Sequence, residues 1–297
     1  MTIAFFLVIH PERLSAPLGN HRVPETRLLF LGDMMFDRTM RTIGEQKGYE
    51  YLFSCLPGWF SEYDSVIGNL EGPVTTYGSF SAGTQPGDAY NTRFTFSPQV
   101  ADTLRKVGVD ILHVGNNHIF DFGNEGVAST RGILRMRELD VFGDPLDTRS
   151  RVLTKTYASA KVAFVSYNEF SPYQDSADTI REIKEAKEEA DVVFVYTHWG
   201  DEYVEPPERV RALARRFVDA GADAVIGSHP HVVQESEVYQ GKTIYYSLGN
   251  FIFDQYWTEE VRTGLALEVV LQEGSPVKFL EHPVTMFRDG RTCRKIL

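Results

Sequence analysis

The sequence predicts a layered α/β protein, and three observations point there. Short apolar runs rich in Val, Ile, Leu and Phe alternate with amphipathic stretches at helical spacing. The runs are continuously apolar rather than alternating, the pattern of strands covered on both faces. Residues able to carry chemistry fall just past the ends of these runs, where open α/β sheets bind ligands.

The elements follow in order. Strands are predicted at Leu28–Leu31, Ser65–Gly68, Asp110–Val114, Val162–Tyr167, Val192–Thr197 and Ala224–Gly227. Helices are predicted between them. Ser97–Val107 places Val100, Leu104 and Val107 on one face, after Ser97 as N-cap and Pro98 in the first turn. Gly126–Leu139 carries Val127, Ile133, Leu134 and Met136. Ala177–Ala190 alternates Glu and Lys at i, i+4 on a solvated face. Pro207–Ala220 carries Val210, Leu213, Ala214, Phe217 and Val218, with Gly221 as the C-cap. Ser236–Tyr239, Thr243–Ser247, Leu265–Leu271 and Val277–Val284 read as strands joined by short turns, hence a mixed sheet or a second sheet packed on the first. Tyr77–Tyr90, rich in Gly, Ser, Thr and Tyr without periodicity, is expected to be a long loop near the site.

No linker or internal repeat is visible, so one domain is expected over 27–297. Residues 1–26 are expected to be an extension or edge strand. The apolar run Ile3–Ile9 has no basic residue before it and no small-residue cleavage site after it, which makes a weak signal peptide the poorer reading, and it is too short to span a bilayer. No other segment is long enough for a membrane helix. The composition of the 297 residues, 42% hydrophobic and 24% charged, excludes collagen-like and disordered classes. Thirty basic against 41 acidic residues give a net charge of −11, which argues against a nucleic-acid-binding face. The helix carrying Arg209, Arg211, Arg215 and Arg216 is interleaved with Glu208 and Asp219 and reads as solvated. Cys55 and Cys293, far apart and in no CxxC, predict neither a disulfide scaffold nor a cysteine-rich zinc site.

Five strand ends hold Asp33, Asn69 with Glu71, Asn116-Asn117-His118 with Asp121, His198-Trp199-Gly200, and Ser228-His229-Pro230-His231. Each residue alone has an ordinary reading: Asp33 as a turn or cap, Asn117 as a turn residue, a lone His118 or His198 as a hydrogen-bonded buried imidazole. His229-x-His231 is the stronger signal, since an extended H-x-H sends both rings to one side. The joint pattern carries the weight: oxygen and imidazole ligands gathered on one edge suit a divalent cation. His10, His21, His113 and His282 do not fit the pattern and are read as structural or surface residues.

The ordered set, with Arg38 after Gly32-Asp33 and Ser247-Leu248-Gly249-Asn250-Phe251 near the end, resembles the calcineurin-like metallophosphoesterases. Within them it is most similar to the CapA family of poly-γ-glutamate capsule biosynthesis proteins, over Leu28 to Phe253. The resemblance implies a four-layer α/β/β/α sandwich of two mixed sheets with a metal centre at one edge. It implies that Asp33 and His231 bind a first metal, that Asn117, His198 and His229 bind a second, and that Glu71 bridges them, with one or two divalent ions of the Mn, Zn, Mg, Fe or Ca kind. His118, oriented by Asp121, would hold or move the leaving-group proton. Arg38, Asn69, Trp199 and Asn250 are expected to contact an anionic substrate. One departure stands out: the usual Asp-x-His reads Asp33-Met34-Met35 here, leaving the first site to Asp33, Glu71 and His231 unless water or Asp37 completes it.

Three functions follow as alternatives. The first is a metal-dependent hydrolase of a poly-γ-glutamate-like polymer, a cell-envelope peptide or a phosphorylated small substrate. The second is a non-catalytic accessory protein for a polyglutamate synthase or export complex. The third is a metal-assisted epimerase acting at a peptide α-carbon, with His118 as base. Some family members are surface-anchored; without a convincing anchor, the sequence favours the cytoplasm over an exported location. The sequence does not define an oligomeric state.

Overall fold

The structure, a computed structural model, describes residues 24–295. The expected extension over 1–26 falls almost wholly outside them, as do Ile3–Ile9, His10 and His21. The first half runs β1 (Glu25–Met34), α1 (Arg38–Lys47), β2 (Ser65–Leu70), α2 (Pro98–Val107), β3 (Ile111–His113), α3 (Gly123–Arg135), β4 (Asp140–Phe142), β5 (Val152–Thr156) and β6 (Lys161–Asn168). The second half runs α4 (Ser176–Glu189), β7 (Val192–His198), α5 (Glu208–Asp219), β8 (Ala224–Ser228), β9 (Ser236–Tyr239), β10 (Lys242–Tyr245), β11 (Asn250–Ile252), α6 (Glu259–Arg262), β12 (Thr263–Gln272), β13 (Lys278–Met286) and β14 (Thr292–Arg294).

Two mixed sheets result. One has the order β14-β13-β12-β1-β2-β3-β4, with β11 also pairing with β1; the other has the order β5-β6-β7-β8-β10-β9. The continuous apolar runs sort into three cores because successive strand residues face opposite ways. Leu28, Phe30, Phe164, Phe194 and Tyr196 meet between the sheets. Leu29 and Leu31 face Val100, Leu104, Val127 and Leu134 of α2 and α3. Val165, Val193 and Val195 face Ile183, Ala186, Val210 and Phe217 of α4 and α5. Helix, sheet, sheet, helix is the four-layer arrangement expected.

The helices start where their caps sit. Asp175 accepts from the backbone N–H groups of Ala177 and Asp178 at the head of α4. Pro98 opens α2, although Ser97 makes no capping bond with its side chain. In α5 the cap is Ala220, and Gly221 follows it with φ 120°. Gly32 is required by close approach: a Cβ there would lie 1.9 Å from the carbonyl oxygen of Gly249, where β11 lies against β1.

The cysteines depart from expectation. Cys55 and Cys293 form a disulfide between Cα atoms 4.9 Å apart. The pairing of β14 with β13 brings the chain end back to the turn after α1. No helix among the described residues is long and apolar enough to cross a membrane.

Candidate metal centre

The five strand ends converge on one edge of the two sheets. In β2 the period of two sends Leu70 into the helix-side core and leaves Asn69 and Glu71 with Asp33 of β1. Asp33 is fully buried and accepts from Asn69 Nδ2 at 2.8 Å and from the His229 backbone N–H at 3.0 Å. His231 lies close to both carboxylates, its Nδ1 3.5 Å from Asp33 Oδ2 and its Nε2 3.7 Å from Glu71 Oε1. His198 Nδ1 lies 4.0 Å from Asp33 Oδ1. His229-x-His231 is not extended, as the sequence reading supposed. His229 has φ 97° and His231 φ 59°, so left-handed backbone turns the two rings toward Glu71, a conformation that costs non-glycine residues about 1–3 kcal/mol each.

Hydrogen-bond direction assigns the ring protons. Ser228 Oγ donates to the Thr197 carbonyl at 2.8 Å, so it accepts from His198 Nδ1 at 3.0 Å. His198 Nε2 is then a bare lone pair, and it faces Asn117 Oδ1 at 2.9 Å. Two acceptors at that separation share no proton and are the separation expected of two ligands on one cation. Both carboxylate oxygens of buried Glu71 and the Nδ1 of His229 have no hydrogen-bond partner. Buried groups of this kind are costly unless a cation or proton answers them.

The electrostatics agree. Burial raises the Asp33 carboxyl to about 6. Burial, and then the charge of Asp33, push Glu71 well above the usual carboxylate range. Burial holds His229 at about 4 and His198 and His231 well below the ordinary imidazole value, so all three rings are neutral. Neutral imidazoles, an amide oxygen and two carboxylates that resist sharing charge form a donor set for a divalent ion. Glu71 with His229 and His231, and Asp33 with Glu71 and His198, have ligand atoms within 4.8 Å of one another. Glu71 is common to both groups. The expected pairs also lie close: His231 Nδ1 is 3.5 Å from Asp33 Oδ2, and the His198 and His229 ring centroids are 4.8 Å apart.

The flanking residues fall into two kinds. His118 stands partly exposed, its Nδ1 2.9 Å from Asp121 Oδ2, and the same oxygen accepts from the Phe94 backbone N–H at 2.7 Å. Arg38, with φ 49°, lies 5.1 Å from the Phe94 ring and 5.4 Å from the Phe253 ring. Phe94 packs on His118, and Phe253 packs on His231. The guanidinium donates to Asp254 at 2.5 Å and to Asn91 at 3.3 Å, and its buried Nε has no partner.

The other three expected substrate contacts lie elsewhere. Trp199 is wholly buried, stacked on Phe217, and donates to the Tyr246 carbonyl; as the strand neighbour of His198 it points to the opposite face. Asn69 is buried beneath Asp33, and Asn250 is buried against His231 Nδ1 at 2.9 Å. Met35 lies in the helix-side core, its sulfur accepting from the Asp37 N–H. Asp37 does not complete the site, since its carboxylate already accepts from Arg38, Arg41, Ser79 and Thr95. His113 is buried between Asn69 and Ser166, and His282 pairs with Glu268, as structural residues.

Sequence reasoning missed several neighbours. Phe170, 41% exposed, lies 4.4 Å from the His229 ring, and Glu169 accepts from the Gly200 N–H. Both follow the end of β6, a parallel strand whose end was left out of the motif set, and that position was the available signal. Tyr203, on the rim, lies 5.9 Å from the His231 ring. Tyr77–Tyr90 is a loop, and Tyr77 and Phe80 stack on Phe122 beside the His118 segment.

The chain is 32% identical to the PGA biosynthesis protein CapA of Bacillus subtilis (strain 168), over 86% of this chain and 70% of that protein. It is also 32% identical to the capsule biosynthesis protein CapA of Bacillus anthracis, over 95% and 75%. Among solved structures, one described as a novel phosphatase from Mycoplasma pneumoniae superposes with a TM-score of 0.56 at 15% identity, covering 89% of this chain and 95% of the other. The fold is the metallophosphoesterase-like sandwich. Residues 27–255 match the family described as bacterial capsule synthesis protein PGA_cap, and the chain belongs to that family.

Proposed function

We propose that the chain is a metal-dependent hydrolase acting on an anionic substrate of the capsule or cell envelope, a poly-γ-glutamate-like amide or a phosphorylated compound. The observation that carries this reading is the Glu71 carboxylate, buried with both oxygens unpartnered, facing bare imidazole nitrogens. Asp33, Glu71, Asn117, His198, His229 and His231 are the residues that would hold one or two divalent ions. Such an ion supplies Lewis acidity toward a substrate oxygen and lowers the pKa of water. Asp121 accepts from His118 Nδ1 and leaves Nε2 to exchange a proton with the leaving group. Arg38, pinned between two rings, offers its unpartnered Nε–H to a carboxylate or phosphate. The experiment is phosphoesterase and γ-glutamyl hydrolase assay with added Mn²⁺, wild type against His229→Ala. The variant is expected to lose at least about 100-fold in rate, and equal rates would overturn the reading.

A second reading has its own observation. Met35 occupies the position where a ligand histidine is usual, and it is committed to the core. That favours an accessory role beside a synthase or export complex, with the centre structural. Metal analysis together with the rate assay separates the two: stoichiometric metal with turnover supports the enzyme, and no metal after metal-supplemented purification, or metal without turnover, the accessory protein. The Cys55–Cys293 disulfide favours an oxidising compartment over the cytoplasm.

A further inference from the structure

Asn250 was expected to touch substrate, yet it is fully buried. Its side chain has four polar partners, three acceptors around the two N–H groups of Nδ2 and the His231 ring at Oδ1. Nδ2 lies 3.3 Å from the His231 carbonyl oxygen, 3.1 Å from the Val261 carbonyl oxygen and 3.0 Å from Gln255 Oε1. Backbone carbonyls only accept, so the atom facing them is the NH₂ and the atom facing His231 is the oxygen. That NH₂ in turn makes the facing Gln255 atom its acceptor oxygen, which leaves Gln255 Nε2 to donate to the Tyr203 hydroxyl at 2.9 Å. Asn250 Oδ1, 2.9 Å from His231 Nδ1, can therefore only accept, and His231 must carry its proton on Nδ1.

We infer that Asn250 is the positioning residue that sets the tautomer and the ring angle of His231, leaving Nε2 as the bare nitrogen directed at Glu71. The inference rests on the reading of this cluster as a metal centre, and it adds how one ligand is prepared for the ion. The device is built from two backbone carbonyls of different segments, so it is in place before any ion binds. The neighbouring His198 is set by a different group, Ser228, held by Thr197. Neutral imidazole has two tautomers, and a ring in the wrong one presents an N–H where a lone pair is needed. Asn250 also follows Gly249, whose carbonyl accepts from the Asp33 N–H, so one segment orders ligands on both sides of the site.

The test compares Asn250→Ala with Asn250→Asp. Both lose the two N–H donors of Nδ2; only the aspartate keeps an acceptor for His231 Nδ1. Long-range ¹H–¹⁵N spectra of the metal-free proteins report the tautomer of His231. The wild type and Asn250→Asp are expected to show the Nδ1–H form, and Asn250→Ala a mixture. Mn²⁺ titration is expected to show Asn250→Ala binding about 10–100-fold more weakly than wild type. An Nε2–H ring in the wild type, or an unchanged tautomer and Mn²⁺ affinity in Asn250→Ala, overturns the inference. Should Asn250→Ala fail to fold, the wild-type tautomer and Gln255→Leu, expected to loosen the tautomer, decide it. A wild type that binds no Mn²⁺ sinks the metal-centre reading, while the tautomer measurement still judges Asn250.

Discussion

His113 shows how a buried polar residue works in this protein. Its ring lies 5.0 Å from Phe142 and 4.9 Å from Tyr196, and its nitrogens meet Asn69 of one sheet and Ser166 of the other. Burial holds it neutral down to about pH 3, whereas in the unfolded chain it titrates near 6.5. Between those values the unfolded chain binds a proton that the folded protein refuses, so stability falls as pH falls from about 6.5 toward 3. The slope from this one group reaches at most about 1.4 kcal/mol per pH unit. Replacing it removes that proton: in urea melts at pH 7.5 and pH 5, with chelator present, His113→Gln is expected to lose less stability between the two pH values than wild type. Identical losses would show that His113 does not control the acid limb. At this scale the sequence revealed residue types and strand-end positions, which is why it singled out Asp33, Glu71, Asn117, His198, His229 and His231, residues that the fold brings to one edge. It did not reveal direction. Trp199 was misplaced because strand neighbours face opposite ways, and Asn250 because a donor and an acceptor look alike until the carbonyls around them are known.

The elements that were legible are those long enough to show a period. The two strands that sequence places at Val162–Tyr167 and Val192–Thr197 emerge nearly residue for residue as β6 and β7. The three-residue strands β4, β11 and β14 escaped because no apolar run long enough to show a period surrounds them, whereas β3, equally short, sits inside the run Asp110–Val114. Helix α1 escaped because only Met40 and Gly44 of its ten residues are buried, so its apolar face is nearly absent from the sequence. Missing β11 mattered most, since it pairs Asp33 with Asn250 in register and so brings the first motif against the last. Gly32 keeps that contact open. A methyl group there would collide with the Gly249 carbonyl, which accepts from the Asp33 N–H. Gly32→Ala is expected to destabilise the protein by about 1–3 kcal/mol and to weaken Mn²⁺ binding as well, because β11 can relieve the clash only by moving Asn250 and Asp33 apart. Calorimetric melting beside Mn²⁺ titration checks both, and a variant as stable and as tight as wild type would show that the two strands part without consequence.

At the scale of the whole molecule, the four-layer order was legible through the family resemblance, and the apolar runs supplied its reason: each strand has two covered faces and needs two cores. The closure of the chain was not. Cys55 and Cys293 stand 238 residues apart, and nothing in their spacing distinguishes a bridge from two free thiols. Only the topology does, since β14 runs along β13 at the sheet edge and returns to the segment after α1. Closing so long a loop removes much of the freedom of the unfolded chain, and bridges of this kind contribute about 2–5 kcal/mol. Cys293→Ser should therefore lower the free energy of unfolding by that amount, read from denaturant melts, and reduction of the wild type with dithiothreitol should reproduce the loss. Cys55 and Cys293 sit against β13 and β14, with Glu281, His282 and Arg294 nearby, and none of these belongs to the metal cluster. Mn²⁺ affinity in the folded protein should accordingly be the same for the variant and the wild type. A variant that unfolds with the wild type, with both thiols titrating freely before reduction, would mean that the bridge does not form and that the oxidising compartment proposed from it has no support.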